Sequence, residues 1–203
     1  MIGTANHGLL VDRLWPAASR PLARALILAL LGTLLLWASA KIKVPMWPVP
    51  MTMQTFVVLA LGAAYGWRLA AATVMIYLIE GAAGLPVFAG TPERGMGLAY
   101  MMGPTAGYLV GFVLGATVVG WLVERGFGRS AVSALLVMLA GQALMFAPGV
   151  AWLAVGMNMG WSKAVAAGLV PFLLGDAIKT ALAASALVLA HRVGGRSGMG
   201  TGL

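Results

Sequence analysis

The sequence predicts an all-α integral membrane protein, a bundle of six transmembrane helices with ordered outward loops. Three observations carry that prediction. Of the 203 residues 61% are hydrophobic and 9% charged, with a mean hydropathy of +0.95, whereas a soluble domain is roughly 45–50% apolar and 25% charged. The apolar residues gather into six stretches, and most basic residues lie between them. The 28 glycines suit helices that pack closely in lipid. A water-soluble fold of this length could not hide so much apolar surface.

The first span is read as 21–40, close to the ~20 residues that cross the hydrocarbon as a straight helix. Arg20 and Arg24, the apolar run and the triplet Ala38 to Ala40 also fit a cleavable signal peptide, which would leave five spans. The second span, 52–65, is short and needs help from its flanks. The third is 69–83 and the fourth 104–123. The fifth, 131–156, holds Pro148, where a kink is expected. The sixth, 162–189, is long and contains Pro171 and Gly175. No repeat and no interdomain linker is visible, so 1–203 reads as a single membrane domain, with 1–20 and 190–203 as cytoplasmic ends. The basic residues set the orientation. Eight arginines fall on the side of the termini, against Lys41, Lys43, Arg94 and Lys163 on the other, which places both termini in the cytoplasm. The net charge of +8 is thereby explained without nucleic acid.

Two connections on the outward side stand out. KIKVPMWPVPMTMQT, 41–55, carries Pro45, Pro48 and Pro50 and is expected to be extended and stiff. The second, 81–107, is rich in Gly and Pro yet carries Leu85, Val87, Phe88, Leu98, Tyr100, Met101 and Met102. An apolar loop at a membrane face is expected to fold over a cavity as a lid, because irregular backbone is tolerated where protein or a cavity surrounds it.

The chemistry available is narrow. The absence of Cys excludes disulfides and thiolate metal sites, and His7 and His191 lie near opposite ends. Ser133 and Ser185 have no nearby His, and no GxxxxGK[ST] loop is present. An enzyme and an intrinsic ATPase are therefore disfavoured. Of the five acids, Asp12, Glu80, Glu93, Glu124 and Asp176, only Asp176 is deep in a span. Lys179 follows at i+3, on the same helix face. Mid-membrane charges are expensive and mark function, and a pair kept only for stability would be easy to replace by apolar packing. The pair points to a small-molecule site. A proton relay in a secondary transporter of a small carboxylate is the other reading, although only Glu80 is at hand to extend it. In the first span Ala25, Ala29 and Thr33 form a row of small residues, which fits either a partner subunit or packing within the bundle. Gly107, Gly111 and Gly115 raise the same choice.

Three stretches then act together: VPMWPVPMTMQT at 44–55, GLPVFAG at 84–90 with GPTAGY at 103–108, and PFLLGDAIK at 171–179. In this order and spacing they resemble the BioY family, the biotin-binding S components of energy-coupling-factor transporters, and the likeness runs over nearly the whole chain. The resemblance implies a six-helix bundle in the bacterial cytoplasmic membrane that binds one biotin near its outer face. It implies a membrane T component and a cytoplasmic ATPase pair as partners, with solitary or homo-oligomeric operation left open, and no cofactor. An S component for another vitamin stays as the alternative within the class. By resemblance Asp176 and Lys179 contact the ligand, Asp176 at the ureido ring and Lys179 at either the ureido oxygen or the carboxylate. Gln54 and Thr52 are expected to supply hydrogen bonds, Trp47, Phe88 and Tyr108 to wall the bicyclic ring, and Ala25 and Ala29 to meet the T component. TPERGMG departs from the family pattern by adding Glu93 and Arg94, read as a solvated turn or as a reach toward the ligand carboxylate.

Overall fold

The computed structural model describes Leu9 and residues 21–196, with side chains described to Arg192. Of the expected cytoplasmic ends, 1–20 apart from Leu9 lies outside the described residues, and so does 197–203 of the tail 190–203, whose start continues the last helix. The elements are α1 (Pro21–Lys41), β1 (Lys43–Val44), β2 (Met51–Thr52), α2 (Gln54–Ala82), α3 (Gly97–Met101), α4 (Ala106–Glu124), α5 (Ala131–Ala151), α6 (Trp161–Gly168) and α7 (Leu173–Arg196). A π-helical turn, Trp152–Gly156, extends α5, and a 3₁₀ turn, Val170–Phe172, leads into α7.

Among the described residues five helical segments are long and apolar enough to cross a membrane. The sequence expects six. The difference lies in α2, whose 29 residues run through Gly66 at φ 76° and ψ 169°, a conformation that glycine adopts without steric cost. The chain folds back there. Gln54 Nε2 donates to Tyr77 Oη at 2.8 Å although 23 residues separate them, a spacing of about 35 Å along a straight helix. α2 is thus two antiparallel halves, 54–65 and 67–82, close to the two short segments read from the sequence. Glu124 Oε1 accepts from Trp67 N at 3.1 Å and so caps the start of the second half.

The other breaks fall in α5 and at the entry to α7. α5 continues through Pro148 in place of the expected kink, and the geometry loosens four residues later in the π-turn. Pro148 removes only one donor, and its carbonyl region packs tightly on Gly107 of α4, where any Cβ would overlap it. The predicted sixth span is divided at Leu169, before Pro171.

The predicted extended first connection is a short hairpin, with Lys43 opposite Thr52 and Val44 opposite Met51. Its strands begin just after α1 and end just before α2. This hairpin, the connection 83–105 and the breaks at 152–156 and 169–172 share one end of the bundle. The turn at Gly66 and the α4–α5 connection form the other. Two apolar clusters fill the interior: a large one around Leu36, Leu59, Val74, Tyr77 and Val119, and a smaller one around Tyr108, Phe146, Leu153 and Phe172.

Candidate ligand-binding site

A cavity opens at the hairpin end, where the two apolar clusters meet. It holds about 500 Å³ of unoccupied space, open mouth included. Val49, Pro50 and Thr52 line it from the first connection, and Phe88, Ala89, Tyr100 and Thr105 from the second. Gln54 and Thr55 enter from α2, Tyr108, Leu109 and Phe112 from α4, Phe146 from α5, Phe172 from the 3₁₀ turn and Lys179 from α7.

Six aromatic rings stand in the walls, most of them held in place by packing. Phe88, 1% exposed, stacks on Tyr100 with centroids 4.9 Å apart and meets Tyr77 edge-on at 5.5 Å. The ring lies over Gly81, where any side chain would overlap it. Tyr77 Oη donates to the carbonyl of Val87 at 2.9 Å, tying α2 to the backbone beside Phe88. Opposite, Tyr108 meets Phe146 edge-on, and Phe146 meets Phe172, both at 5.7 Å. Tyr108 Oη donates to Gly168 O at 2.6 Å.

A polar cluster interrupts this apolar lining. Asp176 and Lys179 are 4% and 6% exposed and form an ion pair through Asp176 Oδ1. Lys179 Nζ also donates to Thr52 O at 2.8 Å and to Thr55 Oγ1 at 3.0 Å. All three ammonium donors are thus matched to protein oxygens. Thr55 Oγ1 in turn donates to Asp176 Oδ1 at 3.0 Å. Asp176 Oδ2 is buried and has no hydrogen-bond partner among the described residues. Local structure explains the placement. Asp176 lies in the first turn of α7, where the helix dipole favours an anion. Gly175 lets that turn approach Met51, since a Cβ there would lie 2.7 Å from its sulfur, and this brings Lys179 to the Thr52 carbonyl.

Of the residues singled out in the sequence, Thr52, Gln54, Phe88, Tyr108 and Lys179 line the cavity. Asp176 sits behind Lys179. Gln54 points to Tyr77 and shares its amide oxygen with the Thr52 hydroxyl at 3.4 Å. Trp47 stands apart: it is 77% exposed and does not line the cavity, because the tip of the hairpin carries it into the surroundings. Ala29 is 3% exposed and packs inside this bundle, with Ala25 half-buried beside it, so Ala29 offers no open surface in the isolated chain. Arg94 lies with Glu93 in an exposed turn, outside the cavity lining. Its guanidinium donates to Pro48 O at 2.8 Å and Met46 O at 3.3 Å.

Sequence reasoning missed Thr55, Phe146, Phe172 and Phe112. Phe172 stands inside a motif quoted above, four residues before Asp176, so a search for aromatics near the pair would have found it; Thr55 also ends a quoted motif, but nothing in the sequence ties it to Asp176. Phe146 and Phe112 carry no local signal. Among the described residues no three His, Cys, Asp or Glu gather into a metal-binding group.

A model of the BioY family matches residues 11–196. The chain is 35% identical to the probable biotin transporter BioY of Pyrococcus horikoshii over 86% of this chain and 99% of that protein. It is 39% identical to the biotin transporter BioY of Thermotoga maritima over 79% and 92%, and 40% identical to that of Rhizobium etli over 68% and 75%. Its fold is similar to a crystal structure of the S-component for biotin from an ECF-type ABC transporter, with a TM-score of 0.73 and 23% identity over 87% of this chain and 93% of that one.

Proposed function

The chain belongs to the BioY family, and from that premise we propose that it is the biotin-capturing S component of an energy-coupling-factor importer. One observation supports this above the others: an aromatic cavity, roofed by two loops, meets the buried Lys179–Thr55–Asp176 cluster. Biotin has two ureido N–H donors and one ureido oxygen, a thioether ring and a carboxylate tail. Asp176 Oδ2, buried and without a hydrogen-bond partner among the described residues, is the acceptor for a ureido N–H. Lys179 takes the ureido oxygen by yielding the Thr52 carbonyl, while its bonds to Asp176 and Thr55 keep the ammonium in place. Thr52 and Gln54 add hydrogen bonds, and Phe88, Tyr100 and Tyr108 enclose the bicyclic ring.

In this reading the two halves of α2 both cross the bilayer, giving six spans with the cavity outward. The excess of arginine on the other side places both termini in the cytoplasm, and a bacterial cytoplasmic membrane is the setting. A T component and a cytoplasmic ATPase pair supply the energy. α1 is the surface for the T component, through exposed Leu22, Leu26 and Leu30, with Ala25 and Ala29 setting how closely α1 packs.

Titration of the purified chain with biotin, thiamine and riboflavin, with Asp176→Asn alongside, tests the proposal. Saturable binding of biotin alone, lost in the variant, is expected. Preference for another vitamin would overturn the ligand. Uptake in ATPase-free vesicles that a protonophore collapses would favour the proton-coupled alternative.

A further inference from the structure

The two connections that roof the cavity grip each other through three cations, none of which lines it. Lys41 Nζ donates to Phe88 O at 3.0 Å and Thr91 O at 3.3 Å, and Lys43 Nζ to Ala89 O at 2.7 Å. In the reverse direction Arg94 donates to the carbonyls of Pro48 and Met46. Phe88 and Ala89 are cavity wall, and Pro48 precedes the wall residues Val49 and Pro50. Each cation therefore holds the backbone of a wall segment in the opposite loop.

We propose that Lys41, Lys43 and Arg94 are positioning residues that clasp the roof, and that their release sets how fast a ligand enters and leaves. The proposal rests on the reading that the cavity is the biotin site. The chemistry suits a clasp that opens. Lys41 and Lys43 are exposed, so their ammonium groups are easily rehydrated when the carbonyls are let go. Their acceptors are neutral backbone oxygens, so no buried charge is stranded on opening. Beneath them Tyr77 of α2 holds the Phe88 ring and the Val87 carbonyl, so the stretch 89–95 can lift past this anchor without loss of the bundle. Lys41 ends α1, where a cation is favoured by the helix dipole. That residue links the orientation of α1 to the roof.

The test uses the full chain in lipid nanodiscs with labelled biotin, comparing wild type, Lys41→Met/Lys43→Met, Arg94→Met and Lys41→Arg/Lys43→Arg. Both donor-deleting variants are expected to release biotin about tenfold faster: they remove three and two charge-assisted hydrogen bonds, but at exposed cations water replaces most of their worth, leaving a net effect of about one such bond. Association should also quicken, so that affinity changes less than either rate. The arginine variant should keep near wild-type rates. Unchanged rates in both deletions overturn the clasp. So does faster release with unchanged or slower association, the pattern of a lost ligand contact. Ligand-free amide exchange over 84–95 provides a readout independent of biotin. Faster exchange in the deletions supports the clasp even if wild type binds another vitamin, and unchanged exchange overturns it.

Discussion

Lys179→Met is the perturbation with the most to say about the site. The structure gives Lys179 three partners: Asp176 Oδ1, Thr52 O and Thr55 Oγ1. Removing the ammonium leaves Asp176, 4% exposed, with a single hydroxyl donor. Breaking a buried pair from one side costs about 3–5 kcal/mol, whereas replacing both partners together is often close to neutral. Lys179→Met alone should therefore destabilise the protein by about 3–5 kcal/mol, and the apolar double variant Asp176→Leu/Lys179→Met by about 1 kcal/mol or less, a coupling of at least about 2 kcal/mol. Equilibrium unfolding of the ligand-free chain in mixed micelles reads this directly. Binding should not follow stability. The double variant lacks the carboxylate acceptor and the ammonium donor, each worth about 1.5–3 kcal/mol as a charged hydrogen bond, so biotin affinity should fall by at least about a hundredfold. A double variant that is stable and binds like wild type would refute the assignment of the pair to the ligand. A Lys179→Met protein as stable as the double variant would refute the coupling.

Three further outcomes follow from particular atoms. Gly66→Ala puts a Cβ on Glu124 Oε1 and within 2.9 Å of Leu9 at φ 76°. It should cost about 1–3 kcal/mol in strain alone, seen as lower thermal stability, with wild-type stability counting against the reversal of α2 at this residue. Gly81→Ala overlaps the ring of Phe88 and should push it into the cavity, lowering biotin affinity in a titration while leaving Asp176 and Lys179 intact. Unaltered affinity would mean that Phe88 is not a wall of the site. Trp47→Ala removes an exposed ring outside the cavity, so affinity should stay within about threefold, and a larger loss by the same titration would return Trp47 to the ligand.

The readable parts of this fold are those that one physical pressure governs. Hydropathy placed α1 and α4 at 21–40 and 104–123, within two residues of Pro21–Lys41 and Ala106–Glu124, because lipid demands long apolar runs. The weak second and third segments were legible as two pieces, since Arg68 and a glycine interrupt them, but that they pack as one reversed pair depends on Glu124 from α4, which no local pattern announces. Asp176 and Lys179 were legible as costly charges. Thr55 was not, because a threonine in an apolar helix is unremarkable until Asp176 arrives beside it. Trp47 shows the limit from the other side. Its motif placed it near the site, yet one turn of a two-residue-stranded hairpin decides whether a ring faces inward, and composition carries no such vector. Ala29 likewise has the spacing of a contact surface, and only the fold shows that the surface is already used.

The cavity exists because the helices around it are imperfect. An unbroken bundle of apolar helices would pack its centre to ordinary interior density and leave no room. Here the hairpin end has a π-turn after α5, a break at Leu169 and a 3₁₀ turn before α7. Each frees backbone carbonyls or shifts a helix axis, which lipid would penalise unless protein or a cavity surrounded them. The break before α7 does two things at once. It turns Phe172 into the wall, and it starts a new helix N-terminus just before Asp176, so the dipole offsets part of the cost of a buried carboxylate. Lys179, one turn further on, is a buried ammonium with three donors to satisfy, and Thr52 comes from outside the helix to supply one of the three oxygens. The irregular backbone and the polar cluster are thus one feature. Moving the break by a turn would take Asp176 away from the helix start and Lys179 away from Thr52 together.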